Sequence, residues 1–169
     1  IEEARLNAAG KTSRKVDTSD HGILTSTANR KSLSELLPDL CSSGKWQDAY
    51  KDQSLLAKGG FATVYIATHK GTSEFVAMKT VSKAHMKDPQ MWRTLENESK
   101  VLYTLNKSRV PHVVELLQVY ETPKQVVMLL EYMGGGNLHQ YLKKKGFSLP
   151  EEQAQGFMYQ VTTALHHCH

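Results

Sequence analysis

The sequence predicts an α+β fold built around an antiparallel sheet. Three observations carry that reading. Residues 63–68 alternate with the two-residue period of a half-buried strand, and further strand-like runs lie at 74–81, in "PHVVELLQVYE" and in "KQVVMLLEY". Met91, Leu95, Leu102 and Leu105 repeat at helical spacing between the third and fourth strands. The order is therefore three strands, a helix, two strands and then further helices.

Taken from the start, residues 1–45 are rich in Ser, Thr, Asn, Asp, Gly and Lys and nearly free of aromatics, so disorder is expected there. Within them, "SLSELLPDL" at 32–40 could make one helical turn ending at Pro38, or dock on a partner. From Trp46 the character changes, and a folded domain is expected over 46–169. "LLAKGGFATVYIATHK" reads as strand, glycine-bearing turn and strand, and "EFVAMKTV" is the third strand. Thr122-Pro123 separates the last two strands, and Gly134-Gly135-Gly136 makes a joint. Asn137 is placed to cap a short helix over 138–145. Ser148 and Glu151, with Pro150 between them, have the spacing of a capping box for a final helix.

The bulk properties suit one modest domain with a tail: 169 residues, 40% of them apolar and 22% charged. A formal charge of +4 with no basic block gives no reason to expect nucleic acid as a partner. The aliphatic run from Val126 to Leu130 is too short to span a bilayer, so no membrane association is expected. The two cysteines, Cys41 and Cys168, do not suggest a disulfide framework, and a reducing intracellular compartment (cytoplasm or nucleus) is expected. The chain starts at Ile1 and stops within a helical pattern at His169, which suggests a fragment.

The chemistry begins with two charges in apolar company. The stripe of the 91–105 helix runs through position 98, which is Glu. A carboxylate facing a core costs several kcal/mol unless it meets a cation or takes up a proton. In "FVAMKTV", strand alternation puts Ala77 and Lys79 on one face, so Lys79 can supply that cation. Either charge alone could reach back to solvent. The hairpin Ala57-Lys58-Gly59-Gly60-Phe61-Ala62-Thr63-Val64 adds backbone N–H groups with little side-chain obstruction, which suits an anion. By itself it reads first as a plain hairpin with no ligand.

Six motifs in order resemble those of protein kinases over residues 50–169. "LLAKGGFATVY" is similar to the glycine-rich loop, with Gly59 kept and Ala57 and Ala62 in place of glycines. "VAMK" is similar to the strand motif that carries the phosphate-binding lysine. Glu98 stands where the C-helix glutamate belongs. "VPHVVELL", "LLEYMGGGNLHQYL" and "FSLPEEQAQGFMYQVTTALHHCH" resemble the segment before the fourth strand, the hinge with its helix, and the helix that leads to the catalytic loop.

The resemblance implies a kinase-like fold: a five-stranded antiparallel small lobe with its C-helix, about 46–131, and a hinge, about 131–137. The first two helices of a truncated large lobe would follow from 138. It implies ATP as ligand, a protein substrate for the longer parent, and transfer of the γ-phosphate to Ser or Thr hydroxyls. The loop residues Ala57, Lys58, Gly59, Gly60, Phe61 and Ala62 would cover the phosphates. Val64 and Ala77 would pack on adenine. Lys79, positioned by Glu98, would hold the α- and β-phosphates. Leu130 would be the gatekeeper, Glu131 and Met133 would bond adenine through their main chain, and Asn137 would lie near the ribose. Leu102 and Leu116 would join the apolar column between the lobes. No His-Arg-Asp or Asp-Phe-Gly run occurs in the 169 residues, so the Mg²⁺ ligands are expected beyond His169 and this chain alone is expected to be inactive. A pseudokinase or regulatory nucleotide-binding module is the rival reading. His166, His167, Cys168 and His169 are not expected to bind metal, because consecutive helical positions diverge by about 100°.

Overall fold

A computed structural model describes residues 31–86 and 88–168. The expectation of disorder over 1–30 and the position of His169 lie outside the described residues. Among the described residues six strands form one sheet in the order β1-β5-β6-β4-β3-β2. They are β1 (Cys41–Ser42), β2 (Tyr50–Lys58), β3 (Ala62–His69), β4 (Phe75–Ser82), β5 (Leu116–Glu121) and β6 (Gln125–Glu131). The five strands β2 to β6 pair antiparallel throughout. The sixth was not expected: β1 pairs in parallel with β5, Cys41 facing Val119 and Ser42 facing Tyr120.

That strand corrects the domain boundary. Disorder to residue 45 does not hold from Ser32 onward. The turn α1 (Leu33–Leu36) is capped by the Ser32 hydroxyl, which accepts from the Glu35 N–H. Leu33 and Leu37 are fully buried at 0% exposure. Full burial of a leucine contributes roughly 1.5–3 kcal/mol. The segment is too short to fold alone, but it need not, because Leu33 and Leu37 enter a core built by distant residues, with Leu36, Leu40 and Cys41 packed against it.

The centre of the sheet is buried on both faces, as alternation along β6 records, whereas β2 is largely exposed. Val126 and Met128 join Leu33, Leu37, Val81, Trp92, Leu95, Leu116 and Val119 on one side. Val127 and Leu129 join Tyr50, Ala67, Val76, Met78 and Tyr120 on the other. The second face is closed in part by Trp46 and Ala49 of α2 (Trp46–Ala49).

The long helix α3 (Pro89–Lys107) covers the first face. The Asp88 carboxylate caps it by accepting from the Gln90 N–H at 2.8 Å, and Pro89 opens the first turn, where no donor is needed. Its inward face is Trp92, Leu95, Ser99 and Leu105. The seam is thus rotated slightly from the expected stripe, and Glu98 stands at its edge. Buried Ser99 is satisfied within the helix, donating to the Leu95 carbonyl at 2.7 Å.

Beyond the sheet come α4 (Leu138–Lys144) and α5 (Glu151–Cys168). Asn137 caps α4 in a reciprocal capping box with Gln140. Gly136 before it has φ +79°, and a Cβ there would sit 2.5 Å from the Gln140 side-chain oxygen, so the turn requires glycine. The box expected at Ser148 does not form. The helix starts at Glu151, its first carbonyl acceptor is Pro150, and the Ser148 N–H turns back to Lys145. α5 has no buried residue, and Met158, Tyr159, Val161 and Leu165 are exposed.

Candidate functional site

The register of the sheet assembles the site. Ala57 of β2 pairs with Val64, Val64 with Lys79, and Lys79 with Met128. One pleat further along, Ile66 pairs with Ala77 and Ala77 with Leu130. Directly opposed residues share a face, and so do residues two apart. Ala57, Val64, Ala77, Lys79 and Leu130 therefore share one face, the face on which α3 packs. Lys79 is the only charge among them.

Glu98 of α3 meets it. The Lys79 Nζ donates to both carboxylate oxygens, at 2.5 and 2.7 Å. The lysine side chain is 16% exposed and the glutamate 33%. A pair this enclosed loses hydration, and the two-pronged contact replaces it.

The glycine-bearing turn closes over the end of this row. The Gly59 N–H donates to the Ala62 carbonyl at 2.8 Å, which pins the hairpin tip. A Cβ on Gly59 would stand 3.3 Å from that carbonyl, whereas one on Gly60 would meet nothing within 4 Å. Gly59 is thus held by geometry, and Gly60 leaves open space. Lys58 is exposed and Phe61 and Ala62 are half-buried, the last two against the core.

The other end of the face is the connection after β6. Glu131 donates its N–H to the Glu115 carbonyl at 2.9 Å, so a ligand could use only its carbonyl. Met133 is exposed. The Asn137 side-chain oxygen caps α4 by accepting from the Gln140 N–H at 2.8 Å. A cavity of about 470 Å³, lined by His112, Val113, Phe157 and Val161, shares Glu131 and Met133 but none of the strand residues around Lys79. Among the described residues no three His, Cys, Asp or Glu come close enough to hold a metal ion.

Some supporting residues were not foreseen. Trp92 and Ser99 complete the buried face of α3. Asn106 ties the end of α3 to β5, its oxygen accepting from the Leu116 N–H at 2.7 Å and its NH₂ donating to the Val114 carbonyl at 3.2 Å. The sequence marks 32–40 as one helical turn or a docking segment, but so short a run does not say what covers Leu33 and Leu37.

The chain belongs to the protein kinase family: the protein kinase domain model matches residues 50–169. It is 37% identical over 123 residues, 72% of its length, to CBL-interacting serine/threonine-protein kinase 16 of Arabidopsis thaliana, and covers 25% of that protein. It is 35% identical over 121 residues to sucrose non-fermenting protein kinase 1 of Fusarium virguliforme, covering 72% of this chain and 17% of the relative. The carbon catabolite-derepressing protein kinase of Secale cereale is 33% identical over 129 residues, covering 75% of this chain and 26% of the relative. The matched stretch is thus about a quarter or less of each relative's length. No described helix is long and apolar enough to cross a membrane.

Proposed function

We propose that this chain is the ATP-binding portion of a serine/threonine protein kinase whose whole length transfers the γ-phosphate of ATP to Ser or Thr hydroxyls of a protein. The observation that carries the reading is the Lys79–Glu98 pair on an otherwise apolar sheet face beside a glycine-bearing hairpin. Lys79 holds the α- and β-phosphates, and Glu98 holds Lys79. The backbone of 58–62, including Gly59, Gly60 and Phe61, covers the phosphates. Val64 and Ala77 pack against adenine with Leu130 behind them, the Glu131 carbonyl and Met133 N–H bond its edge, and Asn137 lies by the ribose. ATP would bring Mg²⁺ with its phosphates, and the residues named here would hold the nucleotide. Such a kinase works inside the cell, in cytoplasm or nucleus.

Titration of the purified chain with ATP and Mg²⁺ tests the reading. Saturable heat with the wild type and none with Lys79→Met, at unchanged circular dichroism, is the expected result. Equal binding by both proteins would remove Lys79 from the site. The 169 residues alone are expected to bind without transferring phosphate, because they contain neither the substrate-positioning Asp nor the Mg²⁺-binding motif. Label from ATP entering a generic peptide, and lost in Lys79→Met, would contradict that.

A further inference from the structure

Glu98 can meet Lys79 only while α3 keeps its place, and α3 leans on the sheet chiefly through β5. Without the residues before Trp46, β5 would be an edge strand. Instead the segment 32–42 closes that edge and reaches α3 at the same time. Its main chain joins the sheet, with the Val119 N–H donating to the Leu40 carbonyl at 2.9 Å. The Leu33 N–H donates to Glu121 at 2.7 Å, and the other oxygen of that carboxylate takes Lys83 at 2.7 Å. Leu33 and Leu37 fill the seam beside Trp92 and Leu95, the two buried residues of the first turns of α3. Asp39 then reaches the far half of the helix: Tyr103 donates to its carboxylate at 2.6 Å, and Lys107 stands 3.6 Å away. One short segment therefore grips α3 on both sides of Glu98 and ties it to β5.

We propose that residues 32–42 are a positioning brace, in which Leu33, Leu37 and Asp39 hold α3 where Glu98 keeps Lys79 set for phosphate. Its effect on nucleotide rests on the reading of Lys79 given above. Its effect on α3 does not. The brace acts through Glu98 and touches no ligand, so its loss loosens α3 first and weakens ATP only by way of the ion pair.

The test uses the full 169-residue chain carrying Leu33→Ala and Leu37→Ala together, with two readouts. In amide hydrogen exchange, residues 95–105 of α3 should exchange about tenfold faster or more while β6 stays within about twofold of wild type. Affinity for a fluorescent ATP analogue should fall about tenfold, and by far less when the same change is made on a Glu98→Gln background. Leu33→Met with Leu37→Met should restore both readouts. Equal loosening of α3 and β6 would reduce the segment to general stability, and an unchanged α3 or an equal affinity loss on both backgrounds would overturn the brace. If the wild type binds no analogue, the phosphate reading fails, and the exchange comparison alone decides the brace. If the double alanine variant aggregates, Asp39→Asn with Tyr103→Phe removes the far grip; unaltered exchange in 100–107 then overturns the proposal.

Discussion

At the scale of single residues, the site rests on one ion pair whose members come from different elements. Each is partly buried, so neither charge is fully hydrated without the other. Replacing Glu98 by Gln leaves the lysine accessible to solvent on one side, and the stability cost should be modest, about 1 kcal/mol. The cost to ligand placement should be larger, because Gln keeps a polar contact but not the charge that orients the ammonium. We expect Glu98→Gln to weaken ATP binding by about tenfold while the melting temperature falls only a few degrees. Calorimetry on the two proteins measures both quantities. A variant with full affinity would mean that Lys79 is positioned by something other than Glu98. Much of this pair was legible beforehand, because two charges in apolar runs must account for each other. The slight rotation of the α3 face was not legible: which side of a helix turns inward depends on what Trp92 and Leu95 find opposite them.

At the scale of elements, the helices divide sharply. α3 is fastened at its start by Asp88, at its end by Asn106, and along its face by four buried residues. α5 is one residue shorter and has no fully buried residue, and its apolar Met158, Val161 and Leu165 are exposed. Its outside contacts are few, chiefly Phe157 on Tyr141 and Tyr159 on His112, and a helix so lightly supported is only marginally stable. Amides in the middle of α5 should therefore exchange far faster than those in the middle of α3, on a timescale set by local fraying. Mass-resolved hydrogen exchange measures this, and an α5 as slow as α3 would overturn the view that α5 is only lightly supported. The periodicity of α5 is the same whether or not a neighbour covers it, so the sequence marks the helix and says nothing of its support.

At the scale of the whole molecule, three groups tie the fold to alkaline pH. Burial, and then the nearby Glu121 charge, pushes the Cys41 thiol above its ordinary 9.0. Burial likewise raises Tyr50 and Tyr120 above 10.0, with the neighbouring Tyr120 adding at Tyr50 and Asp48 adding at Tyr120. A raised folded pKa means that the unfolded chain loses its proton first. Stability is then intact below the ordinary values and falls as pH climbs through them. The melting temperature should hold steady near pH 8 and decline from about pH 9 upward. Circular dichroism melts across that range check it, and a melting point that rises there would contradict the assignment. Cys41 lies in the brace, so its thiol should also become reactive when the brace lets go.

The order of elements, the kinase motifs and the Lys79–Glu98 pair could all be read from the chain, because each rests on local spacing or on a charge that needs a partner. The sixth strand, the burial of Leu33 and Leu37 and the grip of Asp39 on α3 could not. Residues 32–42 carry four leucines, enough to suggest a helical turn or a docking segment, but a piece so short cannot itself supply the apolar surface that buries them and offsets their loss of entropy. That surface is made by α3 and β5, more than fifty positions away, and it exists only once the sheet and helix have come together.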